Sequence, residues 1–463
     1  MSEIISSPGR EATGSQRISA SYARYIFLVL FSVSVLNYLD RFVLSGAANQ
    51  IARDLHFDLR GVGLLSSAFL IVYTLATLPL GMWADRTKRK NVVALCVAVW
   101  SVATAATALA TNFLTLFIAR MILGIGEAGY LPAGAALLSD YFDSKKRNRV
   151  LSFWNSSQMF GVLGGFAIGG VIAGISTGSW RWAFLISGIP GLFLAFLAWR
   201  MREPRRNQAD EEAGEIEIIS SQGNEESTTA AQVVATTRSR LGQVLGLFRI
   251  KTVVVLLIMQ SLILFVLGAN VALLPIYLQQ KDLFGMTPGV AGIYSGVVIV
   301  VAGFVGTLLG GYLADIIGRR YAGARVLVCG IGFLLGAPAY ALAFIYHDIV
   351  VFTISFFLAI LLLSLYNGPG MAAGLGVVPS VLRASAVGLS VLIAHLLGDV
   401  SSPSLVGFIA TALDPTQGQH FAADMAGQDL SIALLITVSL FLPAGRCFWI
   451  TLAGGRYCCC RAS

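Results

Sequence analysis

Long apolar runs separated by short polar loops dominate the chain from about residue 25 to residue 450. Each run has roughly 20 residues, which is long enough to cross the hydrocarbon core of a bilayer as a helix. The pattern therefore predicts an all-helical membrane protein. We predict twelve spans, at about residues 25–47, 62–83, 91–110, 113–138, 149–174, 182–201, 252–279, 289–313, 323–345, 350–378, 385–411 and 430–450.

A polar segment divides the twelve spans into two groups of six. It is rich in acidic residues and holds few large apolar side chains, so it cannot bury enough surface to order itself. Its last part, Leu241 to Ile250, is apolar between two arginines, which favours a short helix on the membrane surface or an early start of span seven. The predicted organisation is a tail (1–24), a six-helix bundle (25–201), a linker (202–250), a second six-helix bundle (251–450) and a tail (451–463).

Composition supports this class of protein. Hydrophobic residues make up 56% of the chain and charged residues only 12%, whereas soluble domains carry about 25% charged residues. The net charge of +8 does not indicate nucleic-acid binding, because the basic residues lie in short loops. We place both termini in the cytoplasm of a bacterial cell. Of the 32 Lys and Arg residues, 26 then lie on the cytoplasmic side, four in outer loops and two within spans, as the positive-inside rule requires.

Two loops at equivalent places in the two halves have related sequences. GMWADRTKRK begins at Gly81 and GYLADIIGRR begins at Gly311; each has Gly, then Asp four residues later, then basic residues. Each carboxylate can accept hydrogen bonds from a helix amino end or pair with an Arg. We predict that these loops latch the cytoplasmic side, although their basic residues also fix topology. The predicted gate residues are Gly81, Asp85, Arg86, Arg89, Gly311, Asp315 and Arg319.

Four charged residues lie within predicted spans of the first half: Asp40 and Arg41 in span one, Arg120 and Glu127 in span four. A lone charge at the centre of a span costs about 3 kcal/mol on insertion scales, so such residues usually mark a transport pathway. Asp40 and Arg120 lie at a similar depth and are expected to pair. We hypothesise that Asp40 and Glu127 take up protons, that Arg120 alternates between Asp40 and an anionic substrate, and that Arg41 is a second contact for the substrate. A static buried salt bridge is the structural alternative.

The predicted spans of the second half hold fewer charged residues. His395 and Asp399 are four residues apart in span eleven, so they share a helix face and can bond each other. Further cavity candidates are Asn270, Tyr366 and Asn367. The remaining surface is mainly Phe, Leu, Val and Ile, which suits the alkyl tail of an amphiphile with an anionic head. Those residues equally suit contact with membrane lipid.

Span five contains five glycines within QMFGVLGGFAIGG. Glycines four residues apart let another helix approach closely, which is how helices associate in lipid. This spacing predicts a tight helix contact. It also resembles a glycine-rich motif in the fifth helix of proton-coupled facilitators.

Several motifs together resemble the Spinster family of the major facilitator superfamily. They are NYLDR (37–41), RMILGIGEAGY (120–130), RNRVLS (147–152), REP (202–204), VVPSVLRASAVGL (377–389) and HLLGDVSSP (395–403). The resemblance implies two six-helix bundles and export of lysolipids, including sphingosine-1-phosphate in animal members, often with proton coupling. It assigns functional roles to Asp40, Arg41, Arg120 and Glu127.

The sequence thus predicts a proton-coupled transporter that works by alternating access on a lysolipid or another amphiphilic anion. A carrier of small organic anions or drugs is the alternative within this class, and a non-transporting receptor is the alternative outside it. The four histidines are scattered and have no metal-binding spacing, so we predict no metal, no cofactor and no enzymatic activity. The expected partners are substrate, protons and membrane lipids, and the chain is expected to act as a monomer.

Overall fold

The computed structural model describes residues 19–204, 209, 250–321, 323–378, 383–414 and 427–439. Residues 1–18 of the first tail, the second tail, most of the linker including residues 241–249, and the second part of span twelve lie outside the described residues. Within them the helices are α1 (Ala20–Asp54), α2 (Leu59–Arg86), α3 (Arg89–Thr107), α4 (Phe113–Ala128), α5 (Tyr130–Tyr141), α6 (Ser144–Ala173), α7 (Trp180–Arg200), α8 (Lys251–Gln279), α9 (Pro288–Gly318), α10 (Ala324–Ile345), α11 (Ile349–Ser364), α12 (Asn367–Val377), α13 (Arg383–Leu397), α14 (Ser402–Leu413) and α15 (Gly427–Ser439).

The helices confirm the predicted all-helical membrane fold. Eleven spans in the described residues are long and apolar enough to cross a membrane, and α15 contributes a shorter apolar helix where span twelve is predicted. Three predicted spans consist of two consecutive helices each: α4 with α5, α11 with α12, and α13 with α14. Large apolar side chains such as Phe153 and Trp182 are exposed, as is expected of a protein that is surrounded by lipid.

Polar side chains at the helix starts fix several of the turns. Asp58 accepts a hydrogen bond from the backbone N–H of Gly61 at the start of α2, and Asn112 forms a capping box with Thr115 at the start of α4. Asp348 accepts from two backbone N–H groups at the start of α11. Such caps satisfy N–H groups that a helix leaves unpaired.

The glycines of span five pack α6 against α1, as their spacing predicts. A Cβ at Gly161, Gly165 or Gly169 would lie 2.4–2.6 Å from the carbonyl oxygens of Val35, Leu39 and Val43 in turn. No side chain fits at these three positions. The stripe therefore brings the two backbones together along the length of the first half.

The two halves meet at one end of the molecule, which we call the far side. It carries the α1–α2 and α6–α7 loops, whereas the opposite end, the motif side, carries the two related loops. A Cβ at Gly170 would lie 2.4 Å from the Pro288 carbonyl oxygen, and one at Gly63 would lie 2.3 Å from that of Pro403. Side-chain amides of Asn49 and Gln50 also donate to Gln279 Oε1 across this interface, at 3.0 and 2.6 Å.

Toward the motif side the halves separate. The buried residues of α2 lie between Leu59 and Phe69, apart from Ala84 near its end. Leu78, in the second part of α2, is 70% exposed. The central surfaces of the two halves are therefore accessible from the motif side and covered on the far side.

Candidate functional site

Close packing around α4 positions the charged residues of the first half. A Cβ at Gly124 would lie 2.8 Å from the Phe69 carbonyl oxygen of α2, and one at Gly126 would lie 2.6 Å from the Trp100 nitrogen of α3. These two glycines let α4 approach both neighbours. They hold Glu127 deep inside the first half, where its bonded partner Arg41 lies on α1.

Arg41 and Glu127 form the ion pair of this site. Arg41 Nε bonds Glu127 Oε2, and the carboxylate is fully buried, whereas the Arg41 side chain is 17% exposed. Placing a single charge in such a site is costly, and a partner with matched geometry offsets that cost. The site therefore contains one arginine that is paired on one side and accessible on another.

An aromatic cage surrounds the guanidinium of Arg41. Its central carbon lies 4.3 Å from the ring centre of Tyr73, 5.1 Å from that of Tyr38 and 5.4 Å from that of Phe69. Phe69 and Tyr73 are one helical turn apart on α2, and their rings stack with centres 6.0 Å apart. The rings restrict the position of the cation and stabilise it through their negative faces. None of these three aromatics was predicted as a site residue from the sequence, although Tyr38 lies within the NYLDR motif.

Arg120 lies deeper than Arg41 and plays a different structural part. It is buried, and its Nη2 donates to the backbone carbonyl of Arg41 at 3.4 Å. Its guanidinium also lies 5.3 Å from the centre of the Phe69 ring. Both Glu127 and Asp40 are within electrostatic reach of it, so it contributes a fixed positive charge behind the Arg41–Glu127 pair.

Asp40 does not pair with Arg120 in this structure, contrary to the prediction from depth. Asp40 is fully buried and accepts a hydrogen bond from Thr104 of α3 at 3.3 Å, and Ser187 of α7 also lies beside it. Consecutive residues on a helix point about 100° apart. Asp40 therefore faces α3 and α7, whereas Arg41 faces α2 and α4. The prediction of an Asp40–Arg120 pair used only the depth of each residue along its helix. Depth gives no information about the direction in which a side chain points around the helix axis.

The first motif loop forms a network within its own half. Arg89 pairs with Asp140 of α5, and its Nη2 lies 4.0 Å from Asp85, which is 72% exposed. The carboxylate of Glu203, just after α7, accepts the backbone N–H groups of Arg89 at 2.8 Å and Lys90 at 3.0 Å. Glu203 therefore caps the start of α3 and ties the beginning of the linker to this loop. An acidic residue directly after span six was the sequence signal for this contact.

The second motif loop has a more open environment. A Cβ at Gly311 would meet nothing within 4 Å, and Asp315 and Arg319 are exposed. Arg86 in the first loop is exposed as well, and Gly81 lies near Pro132 of α5. Among the described residues, the contacts given above for Gly81, Asp85 and Arg89 lie within the first half, which agrees with the separation of the halves on this side.

Two of the second-half candidates are bonded to each other. His395 Nδ1 lies 2.9 Å from Asp399 Oδ2, so the pair that the spacing predicts is present. The His395 side chain is 40% exposed, and the pair lies where α13 ends before α14 begins. Because Asp399 contacts Nδ1 of His395, the other ring nitrogen, Nε2, is not engaged by Asp399.

Asn270 is not a cavity residue in this structure. It is fully buried, and its amide donates to the carbonyl of Val266 at 2.7 Å and to the hydroxyl of Tyr340 at 2.9 Å. Burial within the second bundle requires such partners for a polar amide. Hydrophobicity along α8 is nearly uniform, so the pattern of apolar residues does not indicate which face Asn270 occupies.

A pocket of about 180 Å³ lies in the second half, between α8, α12 and α13. Tyr366 and Asn367 line it, together with apolar residues that include Leu257, Leu264 and Met371. Asn367 also donates to Thr307 of α9 at 2.9 Å. The second half thus offers a mainly apolar pocket where the first half offers a charged cluster.

Two known proteins are similar to this chain over most of its length. The chain is 28% identical over 459 residues to Protein spinster homolog 1 of Xenopus tropicalis, a match that covers 96% of this chain and 83% of that protein. It is also 28% identical over 439 residues to the probable galactarate/D-glucarate transporter GudP of Bacillus subtilis (strain 168), covering 91% of this chain and 92% of that protein.

The fold matches two solved transporters. A crystal structure of a bacterial homolog to the human lysosomal transporter Spinster, in an inward-facing and unoccupied conformation, has a TM-score of 0.79 at 23% identity and covers 93% of this chain and 97% of that chain. A D-xylose-proton symporter has a TM-score of 0.67 at 17% identity and covers 91% of this chain and 97% of that chain.

The family model of the Major Facilitator Superfamily matches residues 30–403. With the Spinster relatives, this match identifies a multi-pass membrane transporter and not an enzyme. The chain belongs to the Spinster family of the Major Facilitator Superfamily.

Proposed function

We propose that this chain is a proton-coupled secondary transporter that moves a lysolipid or another amphiphilic anion by alternating access. The observation that carries the proposal is the partly exposed Arg41, whose buried partner is Glu127. Arginine presents several donors in a planar fork that fits phosphate and carboxylate groups. Glu127 engages Nε and the Tyr73 side chain is a second hydrogen-bond partner of Arg41, so an anion in the central space would bind the donors that these two partners leave available.

Proton coupling follows from competition for Arg41. An anionic head group that draws the guanidinium away leaves Glu127 buried without its partner, which is costly unless the carboxylate takes up a proton. In this scheme Arg41, not Arg120, alternates between a carboxylate and the substrate. Asp40 is the second proposed protonation site, because it is buried and has a hydroxyl rather than a cation as its bonded partner.

The apolar pocket supports an amphiphilic substrate. Its lining residues include Leu257, Leu264 and Met371, and none of them is charged. The pocket therefore offers an apolar environment to an alkyl chain. An anionic head at Arg41 and a chain in the pocket would engage the two halves at once. Both contacts would change as the halves tilt, and a transporter requires such a difference between its states.

We propose that the motif side faces the cytoplasm of a bacterial cell and that both termini lie there. The concentration of basic residues on that side supports this orientation. The far side would then be closed and the cytoplasmic side open. Asp85 and Asp315, the carboxylates of the two related loops, would take part in a latch when the cytoplasmic side closes.

A small dicarboxylic acid is the second candidate substrate. The similarity to a probable galactarate/D-glucarate transporter favours it, and Arg41 with Arg120 supplies two positive charges for such an anion. This candidate makes no use of the apolar pocket. The two substrates therefore predict different behaviour when the pocket is filled.

Uptake into proteoliposomes tests the proposal. With an imposed pH gradient, the wild-type protein is expected to take up labelled lysophosphatidylglycerol, and Glu127→Gln and Asp40→Asn are each expected to lose more than about tenfold of the gradient-driven rate while retaining counterflow. Asp58→Asn is the matched control, because Asn caps a helix as well as Asp does.

Three outcomes would contradict the proposal. Undiminished gradient-driven flux in both Glu127→Gln and Asp40→Asn would refute proton coupling. Uptake of glucarate alone would favour the second candidate substrate, and binding without counterflow would indicate a receptor.

A further inference from the structure

Two tyrosines occupy matching positions next to broken helices. The fourth span of the first half is interrupted at Gly129, and Tyr130 is the first residue of α5. The fourth span of the second half is interrupted between α11 and α12, and Tyr366 directly precedes α12. The sequence motifs did not single out this correspondence.

The hydroxyls of these tyrosines make equivalent hydrogen bonds. Tyr130 donates to the backbone carbonyl of Leu30 in α1 at 2.6 Å, and Tyr366 donates to that of Leu256 in α8 at 2.7 Å. Each acceptor lies in the first helix of its own half, and both tyrosines are buried. Each hydroxyl therefore fastens the short helix on the motif side to the first helix of its half.

Such contacts matter most where a helix is interrupted. At the second break the N–H groups of Leu365 and Tyr366 bond carbonyls three residues back instead of four, so the regular helix is interrupted and side-chain contacts help to fix the direction of the next segment. The hydroxyl of Tyr366 is one such contact for α12. Loss of the contact would allow α12 to tilt relative to α11.

The two anchors differ in their surroundings. Trp154 of α6 donates to the same Leu30 carbonyl at 3.1 Å and to the Tyr130 hydroxyl at 3.1 Å, so the first anchor is reinforced. Tyr366 instead lines the apolar pocket, as does Leu256, the residue whose carbonyl it bonds. A molecule in that pocket would contact the second anchor, whereas the first anchor is enclosed by protein.

We propose that Tyr366 is a positioning residue that links occupancy of the pocket to closure of the motif side. Its hydroxyl holds α12 against α8 while the motif side is open, and an alkyl chain in the pocket displaces the hydroxyl and releases α12. The identity of the chain rests on the proposed function. Tyr130 is the fixed counterpart, because protein encloses it and Trp154 also bonds its hydroxyl.

Distances between spin labels test this proposal in the full chain, reconstituted in lipid nanodiscs. Labels at Lys88→Cys and Arg320→Cys, both exposed on the motif side, report the ratio of open to closed protein in a background without the natural cysteines. Tyr366→Phe is expected to lower this ratio about three- to tenfold, the range that one hydrogen bond supports. Tyr130→Phe is expected to change it less than about twofold, since the enclosed ring keeps its edge-to-face contacts with Trp100 and Trp154.

Tyr340→Phe is the matched control, because it loses a buried hydroxyl bond to Asn270 away from any helix break. Lysophosphatidylglycerol is expected to lower the ratio of the wild-type protein at least about threefold and that of Tyr366→Phe by much less. A Tyr366→Phe ratio equal to wild type, equal shifts in all three variants, or an unchanged lipid response in Tyr366→Phe would each overturn the proposal. If wild type does not transport the lipid, the proposed substrate fails, while the ratio measured without lipid still judges the anchor.

Discussion

The two halves share an order of helices and the position of their interrupted fourth span, yet their centres differ. The first half buries Asp40, Arg120 and Glu127 around a partly exposed Arg41. The second half has an apolar pocket and a half-exposed His395–Asp399 pair. Since the backbone plan is common to both, the difference resides in a few side chains. A repeated fold can thus assign head-group binding to one half and chain binding to the other.

Arg41→Ala is expected to have the largest effect, because it tests whether the first half binds the head group. It removes the accessible cation and leaves Glu127 buried without its partner, a change that costs about 2–5 kcal/mol where it has been measured at interfaces. Uptake of lysophosphatidylglycerol into proteoliposomes should fall on the order of 100-fold. Arg60→Ala, which removes a more exposed arginine on the far side, is the control. Uptake within about threefold of wild type in Arg41→Ala would show that the first half does not bind the head group.

Gly170→Ala is expected to affect closure of the far side strongly. A Cβ there would lie 2.4 Å from the Pro288 carbonyl oxygen of the other half, so the halves must move apart. We expect the far-side-open population to rise about tenfold, measured as distances between spin labels at Leu109→Cys and Tyr346→Cys.

Gly164→Ala is the matched control for that experiment. Its Cβ would meet the Leu39 side chain at 3.4 Å, which is ordinary contact. Equal label distances in both alanine variants would mean that close approach at Gly170 does not hold the far side shut.

Met371→Trp tests the second half directly. The indole would fill part of the pocket, so uptake of a lysolipid with a 14-carbon chain should fall about tenfold, while uptake of glucarate should change less than about twofold. Leu358→Trp, at an exposed position of the same half outside the pocket, is the control. Equal loss for the lipid and the sugar acid would remove the distinction between the halves.

Gln279→Ala is expected to have the smallest effect. The side-chain oxygen Oε1 of Gln279 accepts hydrogen bonds from the side-chain amides of Asn49 and Gln50 across the far side. Uncharged hydrogen bonds contribute about 0.5–1.5 kcal/mol each to stability. The Leu109–Tyr346 label pair should report a far-side-open population about three- to fivefold higher. Gln280→Ala is the control, because its amide bonds only the Ile276 carbonyl of its own helix; an equal shift there would exclude a specific role for Gln279.

The amino-acid sequence by itself determined the class of fold, the division into halves and the residues of the charged cluster. Hydrophobic length fixes the spans because a bilayer accepts only helices of that length with internally satisfied backbones. Spacing along one helix also predicted the His395–Asp399 pair and a tight glycine contact of span five with another helix, although not that this helix is α1. These are local properties, so no tertiary information was needed.

Tertiary structure alone decided which charges meet and where the apolar surface forms a pocket. Asp40 and Arg41 are adjacent in sequence, but the rotation of α1 directs them to different neighbours, and Glu127 rather than Asp40 obtains a cationic partner. The aromatic cage, the Glu203 cap and the two tyrosine anchors join residues far apart in the chain. Helix rotation and interhelical distance are set by packing of the whole bundle, and a one-dimensional pattern does not contain them.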